Sequence, residues 1–144
     1  MSGCKKELSL ENQQTEKTLR KFQLKAFYSD IPIDFIENDD IIKSESDLWA
    51  YVNDYVKDDV NLFTDNNTDV QVYQNDKKLP GLDDAILYRT YFIGSDSEGS
   101  YMRYLAPDYT PLRYRLNEMT DDYFILSVKW KHGATVYSRF ERIP

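Results

Sequence analysis

The stretch that decides the fold is LRYRLNEMTDDYFILSVKWKHGATVYSRFER, residues 112–142. Large apolar side chains recur at every second position through its middle, at Phe124, Leu126, Val128 and Trp130. This period of two is typical of a half-buried β-strand. Turn-forming residues at 120–122 and 132–133 lie on either side of the strand. Because connections this short force neighbouring strands to be antiparallel, the stretch predicts consecutive antiparallel strands.

The same reading extends toward the N-terminus. Residues 86–94 and 134–143 are rich in β-branched and aromatic side chains, and weaker alternation occurs at 70–72 and 22–26. Turn signals also stand at 94–99 and at Pro107-Asp108. From about residue 70 we therefore predict five or six consecutive antiparallel strands, which must close into a barrel or bury one face under a helix.

A single helix is predicted before these strands. Ser44 or Ser46 can cap its first turn, and the apolar face with helical spacing consists of Leu48, Trp49, Val52, Tyr55 and Val56. The helix should run to about Lys57, or as far as Leu62, with Trp49 in the core. The predicted fold class is therefore mostly β with one helix (α+β), an antiparallel meander.

Composition limits what the chain can be. At 144 residues it has about the length of one domain, and 15% aromatic residues argue against a largely disordered chain. No apolar run is long enough to span a bilayer. The net charge is −7, and residues 1–72 alone carry 8 Lys+Arg against 15 Asp+Glu, so nucleic acid is not expected as a partner.

The N-terminal segment contains a candidate signal for membrane attachment. Ser2-Gly3 precedes Cys4, and a polar stretch without periodicity follows to about residue 17. This resembles the mature end of a bacterial lipoprotein, in which acyl chains on the cysteine anchor the protein to a membrane. The resemblance implies a flexible tether over 1–17, a β-rich domain over 18–144, and an envelope location, at the outer membrane facing the periplasm or the surface. We expect Met1 to be a truncation point; the alternative is a cytosolic protein whose fourth residue happens to be cysteine.

The C-terminal strands carry a second resemblance. The pattern Tyr114-x-Leu116-x-x-Met119-Thr120-x-Asp122-x-Phe124-x-Leu126, followed by Gly133, Tyr137, Phe140 and Arg142, resembles the closing hairpin of lipocalin-like lipoproteins of Bacteroidetes. The resemblance implies a lipocalin-like barrel. Those domains open with a Gly-x-Trp strand, whereas this chain has no glycine between Gly3 and Gly81. The alternative is a helix packed on a curved antiparallel sheet (cystatin/NTF2-like).

No motif predicts catalysis, a metal or a cofactor. Four Asp-Asp pairs are interpreted as solvated acids, because catalytic carboxylates must converge across a cleft. Residues 65–69 resemble half of a calcium loop, but valine occupies position 70, where an EF-hand needs glycine. We therefore predict a protein that is not an enzyme. The enzyme alternative is an NTF2-like cone with an Asp or His132 as general base, which requires His132 near a carboxylate in a cleft.

The predicted binding site lies at the mouth of the β-domain. The residues expected to line it are Tyr104, Tyr114, Trp130 and Arg142, where Arg142 shares its parity with Val136 and Phe140. The predicted partners are a membrane, through acylated Cys4, and an unknown small ligand or envelope protein. Alternatively, the acidic segment 30–69 or the tyrosine-rich sheet docks a protein or a glycan.

Overall fold

The computed structural model describes residues 20–63, 69–82, 84–105 and 111–144. Its strands are β1 Arg20–Glu37, β2 Asp40–Asp47, β3 Val60–Phe63, β4 Asp69–Tyr73, β5 Ile86–Asp96, β6 Gly99–Leu105, β7 Pro111–Met119, β8 Tyr123–Lys129 and β9 Thr135–Ile143. One helix of a single turn, α1, spans Asp54–Lys57, and short 3-10 turns lie at Trp49–Tyr51 and Lys131–Gly133. The prediction of a mostly-β chain with one helix is confirmed.

Eight of these strands form a closed, barrel-like ring. Strands β3 to β9 are each paired antiparallel with the next, β1 pairs with β3, and β1 also pairs with β9 from Lys21↔Ile143 to Ser29↔Val136. Among the last six strands, β4 to β9, strands that are consecutive in the sequence are also adjacent in the sheet, so the predicted meander is confirmed. Since β1 and β9 close the sheet, the structure is not the helix-covered open sheet of the alternative prediction.

Strand β2 lies outside the ring. Residues 33–37 of β1 pair with β2, which completes a two-stranded arm over residues 30–47. The turn of the arm is made by Asn38 and Asp39, whose φ angles of 52° and 67° are those of a two-residue hairpin with the twist that strands prefer. This hairpin was not predicted, because its strands are rich in acidic residues, which are uncommon in β-strands.

The predicted helix over 44–57 is wrong in extent. Residues 44–47 belong to β2, and only the turn at 49–51 and α1 are helical. The reason is pairing with β1: Ser44 lies opposite Asp34, and the backbone N–H of Leu48 donates to the carbonyl of Phe27 at 2.9 Å. Local helical spacing is a weak preference that such tertiary hydrogen bonds override. Trp49 is half-buried beneath the ammonium of Lys57, while Leu48 is the buried residue of this segment.

The core fills one end of the ring. Aromatic side chains meet there edge to face: Phe22 lies 5.1 Å from Phe124 and 5.7 Å from Phe63 between ring centroids, and Tyr91 lies 4.9 Å from Phe63. Met102 and Val70 are fully buried among them. The small gap next to Met102 and Phe124 leaves no space for a water molecule. We call this region the packed end.

Candidate functional site

The opposite end of the ring holds a cavity of about 640 Å³. Small-molecule sites in proteins typically measure roughly 300–1,000 Å³. All eight strands of the ring contribute to its wall, and so do the arm and the segment 48–59. Most of the wall is apolar, with Leu24, Phe27, Val72, Leu126, Val136 and Phe140 among the lining side chains.

The arm and the segment after it shape the open side of the cavity. Ile33 and Phe35 of the arm line it, and the ring of Phe35 stacks on that of Tyr51 at 4.4 Å between centroids. Val52 and Val56 line it from the segment 48–59. Three residues of the apolar face predicted for a helix, Leu48, Val52 and Val56, therefore face the cavity, although only one turn of helix forms. Trp49 and Tyr55 do not line it.

The structure places three of the four predicted site residues on the wall of this cavity. Tyr104 and Tyr114 lie on adjacent strands with their rings edge to face, 6.5 Å apart between centroids. Burial raises the pKa of both hydroxyl groups, so they are neutral donors and acceptors at physiological pH. Trp130 follows β8 and is about half exposed, which places it at the rim.

The fourth predicted residue, Arg142, is not on the cavity wall. It lies opposite Phe22 at the packed end, and its guanidinium donates to the carbonyl of Asp121 at 3.4 Å. Its parity agrees with that of Phe140, but β9 runs away from the cavity along its length. Parity identifies the side of a sheet on which a side chain lies and gives no information about the end.

Two charged side chains that were not predicted as site residues, Asp59 and Arg89, also line the cavity. Asp59 precedes β3, and its Oδ1 atom is buried without a hydrogen-bond partner among the described residues. Burial, and to a lesser degree the neighbouring Asp58, raises the pKa of Asp59 to about 7, while the positive charge of Arg89 opposes that shift. Arg89, on β5, has a lowered pKa because of its own burial.

The sequence contained a signal for one member of this pair. Arg89 stands between Leu87 and Tyr91, two buried positions of the same parity, so alternation alone places it on the inner face of β5. Asp59 was concealed because its segment read as the end of a helix. Only the strand β3 gives Asp59 the parity of Asn61 and Phe63, and β3 was not predicted.

The structure also shows where the other residues considered for catalysis or metal binding lie, as far as they are described. His132 is exposed in the turn between β8 and β9, does not line the cavity, and forms no hydrogen bond with a carboxylate of the described residues. Within the described ranges no three His, Cys, Asp or Glu side chains gather as metal ligands. Cys4, the tether 1–17, Pro107-Asp108 and most of the calcium-like segment 65–69 lie outside the described residues.

Comparison with known proteins leaves the cavity as the main guide to function. No protein-family model, curated protein or solved structure matches the chain. Among the described residues, no helix has the length and apolar character that crossing a membrane would require. The functional argument therefore rests on the geometry and chemistry of the site itself.

Proposed function

We propose that this chain is a non-enzymatic, lipid-anchored envelope protein whose lipocalin-like β-domain binds a small, largely apolar ligand. The observation that carries the proposal is the cavity of about 640 Å³ within the ring. An apolar space of this size with a few polar groups is the usual form of a small-molecule site. The packed end closes one side of the ring, and the cavity occupies the other side.

The chemistry of the wall supports an apolar ligand. Burial of apolar surface contributes about 25 cal/mol per Å², so a ligand covered by these walls gains most of its affinity without directed bonds. The aromatic rings of Phe27, Phe35 and Phe140 add flat contact surfaces. Tyr104, Tyr114 and Trp130 supply polar groups at fixed positions.

Titration with an uncharged fluorophore, N-phenyl-1-naphthylamine, tests this proposal. We expect a blue shift and an increase in emission that saturate at one molecule per chain. Ser138→Phe inserts a ring into the cavity from β9 and should weaken the uptake, because the ring takes up part of the space that the fluorophore would fill.

The matched control is Thr90→Phe, which adds the same ring to an exposed position on β5. It should leave the uptake unchanged. If wild-type protein takes up no fluorophore, or if both variants bind equally well, ligand binding in the cavity is contradicted.

The proposed anchor is tested separately. The gene, expressed with its own upstream codons in a bacterial host, should yield protein acylated at Cys4, and Cys4→Ser should release it from the membrane fraction. Two or three acyl chains hold a protein at a bilayer stably. Unmodified protein beginning upstream of Cys4, with no signal peptide encoded, would contradict the anchor.

A second candidate function, protein interaction, rests on the arm. Residues 30–47 carry seven acidic side chains and one lysine, and they expose the isoleucines Ile31, Ile36, Ile41 and Ile42. An exposed apolar patch with acidic surroundings is typical of a docking surface for a basic partner. A photoreactive residue at Ile36 should then cross-link to such a partner in cells, whereas one at Thr90 should not.

A further inference from the structure

We propose that the cavity selects ligands whose head group is uncharged and both donates and accepts a hydrogen bond, such as a hydroxyl, and holds that group between Asp59 and Arg89. This inference rests on the proposed function and adds the chemical class of the ligand to it.

The two charged side chains face the same cavity without forming a salt bridge. Both side chains line the wall, and each influences the pKa of the other. Their charged atoms are nevertheless more than 4.0 Å apart. A small polar group that lies between them can accept from the guanidinium and donate to the carboxylate, in place of the salt bridge that the pair does not form.

Neither side chain has a hydrogen-bond partner within the described residues. The carboxylate of Asp59 accepts no hydrogen bond, and the guanidinium of Arg89 donates none, within the part of the chain that the structure describes. A charged atom removed from water without a partner costs more free energy than a neutral one, and Oδ1 of Asp59 is such an atom, whereas no nitrogen of Arg89 is both buried and unpaired among the described residues. A ligand that provides the missing hydrogen bonds recovers this free energy.

Three other polar side chains of the wall, those of Asn61, Tyr51 and Asn53, are already engaged. The amide of Asn61 donates to the carbonyl of Phe22 at 3.4 Å, and the hydroxyl of Tyr51 donates to Glu45 at 2.8 Å. The amide of Asn53 donates to the hydroxyl of Tyr55 at 2.9 Å. Asp59 and Arg89 are therefore the charged groups of the wall that remain available to a ligand.

The sign of the charges determines the class of head group. Above pH 7 the pair is one negative and one positive charge, so its net charge is zero. A carboxylate ligand is attracted by Arg89 but repelled by Asp59, and an ammonium ligand experiences the reverse. A hydroxyl group makes a charge-assisted hydrogen bond with each side chain and carries no net charge into an apolar space.

Four probes with the same ten-carbon body test the inference at pH 8.5, where Asp59 is ionised. Decan-1-ol, methyl decanoate, decanoate and decylamine are each used to displace N-phenyl-1-naphthylamine from the wild-type protein. We expect decan-1-ol to bind roughly tenfold tighter than either charged probe, since one charge-assisted hydrogen bond corresponds to about a factor of ten. Methyl decanoate, which accepts but cannot donate, should bind more weakly than decan-1-ol.

Two variants should shift the preference in opposite directions. Asp59→Asn removes the negative charge and should improve decanoate relative to decylamine by roughly tenfold; Arg89→Gln should favour decylamine by a similar factor. The controls are Asp54→Asn on α1 and Arg103→Gln on β6, two exposed residues that do not line the cavity. They should leave the order of the four probes unchanged.

The outcomes separate this inference from the proposed function. Uptake of the fluorophore with no preference among the heads, or variants that do not shift the preference oppositely, overturns the inference and leaves the proposed function intact. Absence of uptake overturns both. If a variant does not fold, the comparison of decan-1-ol with methyl decanoate on the wild-type protein still decides the result, because both probes are uncharged and only the alcohol can donate a hydrogen bond to Asp59.

Discussion

The two ends of the ring are built from the same strands, yet one is packed and the other is hollow. At the packed end, Phe22, Phe63 and Phe124 interlock with Met102, and no space for water remains. At the other end, the inward positions of the same sheet surround about 640 Å³. The same strands run through both ends, so the difference is in the side chains that meet at the axis of the ring.

The comparison teaches where the stability of the ring is concentrated. Interlocked rings at the packed end have nearly complete van der Waals contact, whereas side chains on the cavity wall face empty space on one side and lose those contacts. A ligand would restore the contacts that the wall lacks. We therefore expect the packed end to contribute most of the stability and the end with the cavity to bind the ligand.

The largest expected effect is at the packed end. Phe124 is 1% exposed and contacts Phe22, Phe63 and Phe140. Phe124→Ala should lower the free energy of unfolding by about 3–5 kcal/mol, measured by urea denaturation. Leu112→Ala, on the partly exposed cavity wall, should lower it by less than about 1 kcal/mol. Equal losses at the two positions would remove the distinction between the ends.

A smaller effect is expected when side chains are enlarged. Met102 is fully buried, so Met102→Trp must displace its neighbours and should cost about 1–3 kcal/mol of unfolding free energy. Ser138→Phe adds a ring where space exists and should cost less than about 1 kcal/mol. Thermal unfolding of the two variants beside the wild-type protein measures the difference. An equal loss of unfolding free energy in the two variants would mean that the cavity is collapsed in solution and has no space for the added ring.

The smallest effect concerns the charge in the cavity and depends on pH. The pKa of Asp59 is about 7 in the folded protein, against 3.8 for an ordinary aspartate. Because the folded-state pKa is the higher one, ionisation of Asp59 lowers stability as the pH rises from about 4 to about 7. Asp59→Asn should therefore stabilise the protein by about 1–2 kcal/mol at pH 8, a value reduced for the half-exposed carboxylate.

The pH series contains its own control. Below about pH 4 the aspartate is protonated in both the folded and the unfolded state, so the advantage of Asp59→Asn should disappear there. Urea denaturation at pH 3.5, 6 and 8 measures this dependence. A stabilisation that does not change over this range would show that Asp59 is not desolvated at the cavity.

The strands after residue 70 were predictable because their signals are local. Alternation at 124–130 predicted β8, alternation of Leu112, Tyr114 and Leu116 predicted β7, and the residues at 120–122 predicted the turn between them. The structure adds the reason for the turn. The hydroxyl of Thr120 accepts from the backbone N–H groups of Asp122 and Tyr123, each at 3.1 Å. Such hydrogen bonds depend only on residues close in the sequence.

The segment 44–63 was not predictable in the same way. Its apolar spacing favours a helix, but its structure is decided by hydrogen bonds with β1: the backbone N–H of Leu48 donates to the carbonyl of Phe27, and Asn61 of β3 lies opposite Phe22. The cavity residue Asp59 was missed for the same reason, because its orientation depends on the pairing of β3 with β1 and β4.

By itself, the sequence determined the β-rich class, the antiparallel order of the last six strands and the inward positions of Tyr104 and Tyr114. The tertiary structure alone decided that β1 closes the ring on β9, that Arg142 lies at the packed end, and that Asp59 and Arg89 face one cavity. The physical reason is range. Period and turn chemistry act between neighbours in the chain, whereas closure and a cavity depend on how side chains from all eight strands fill a shared interior.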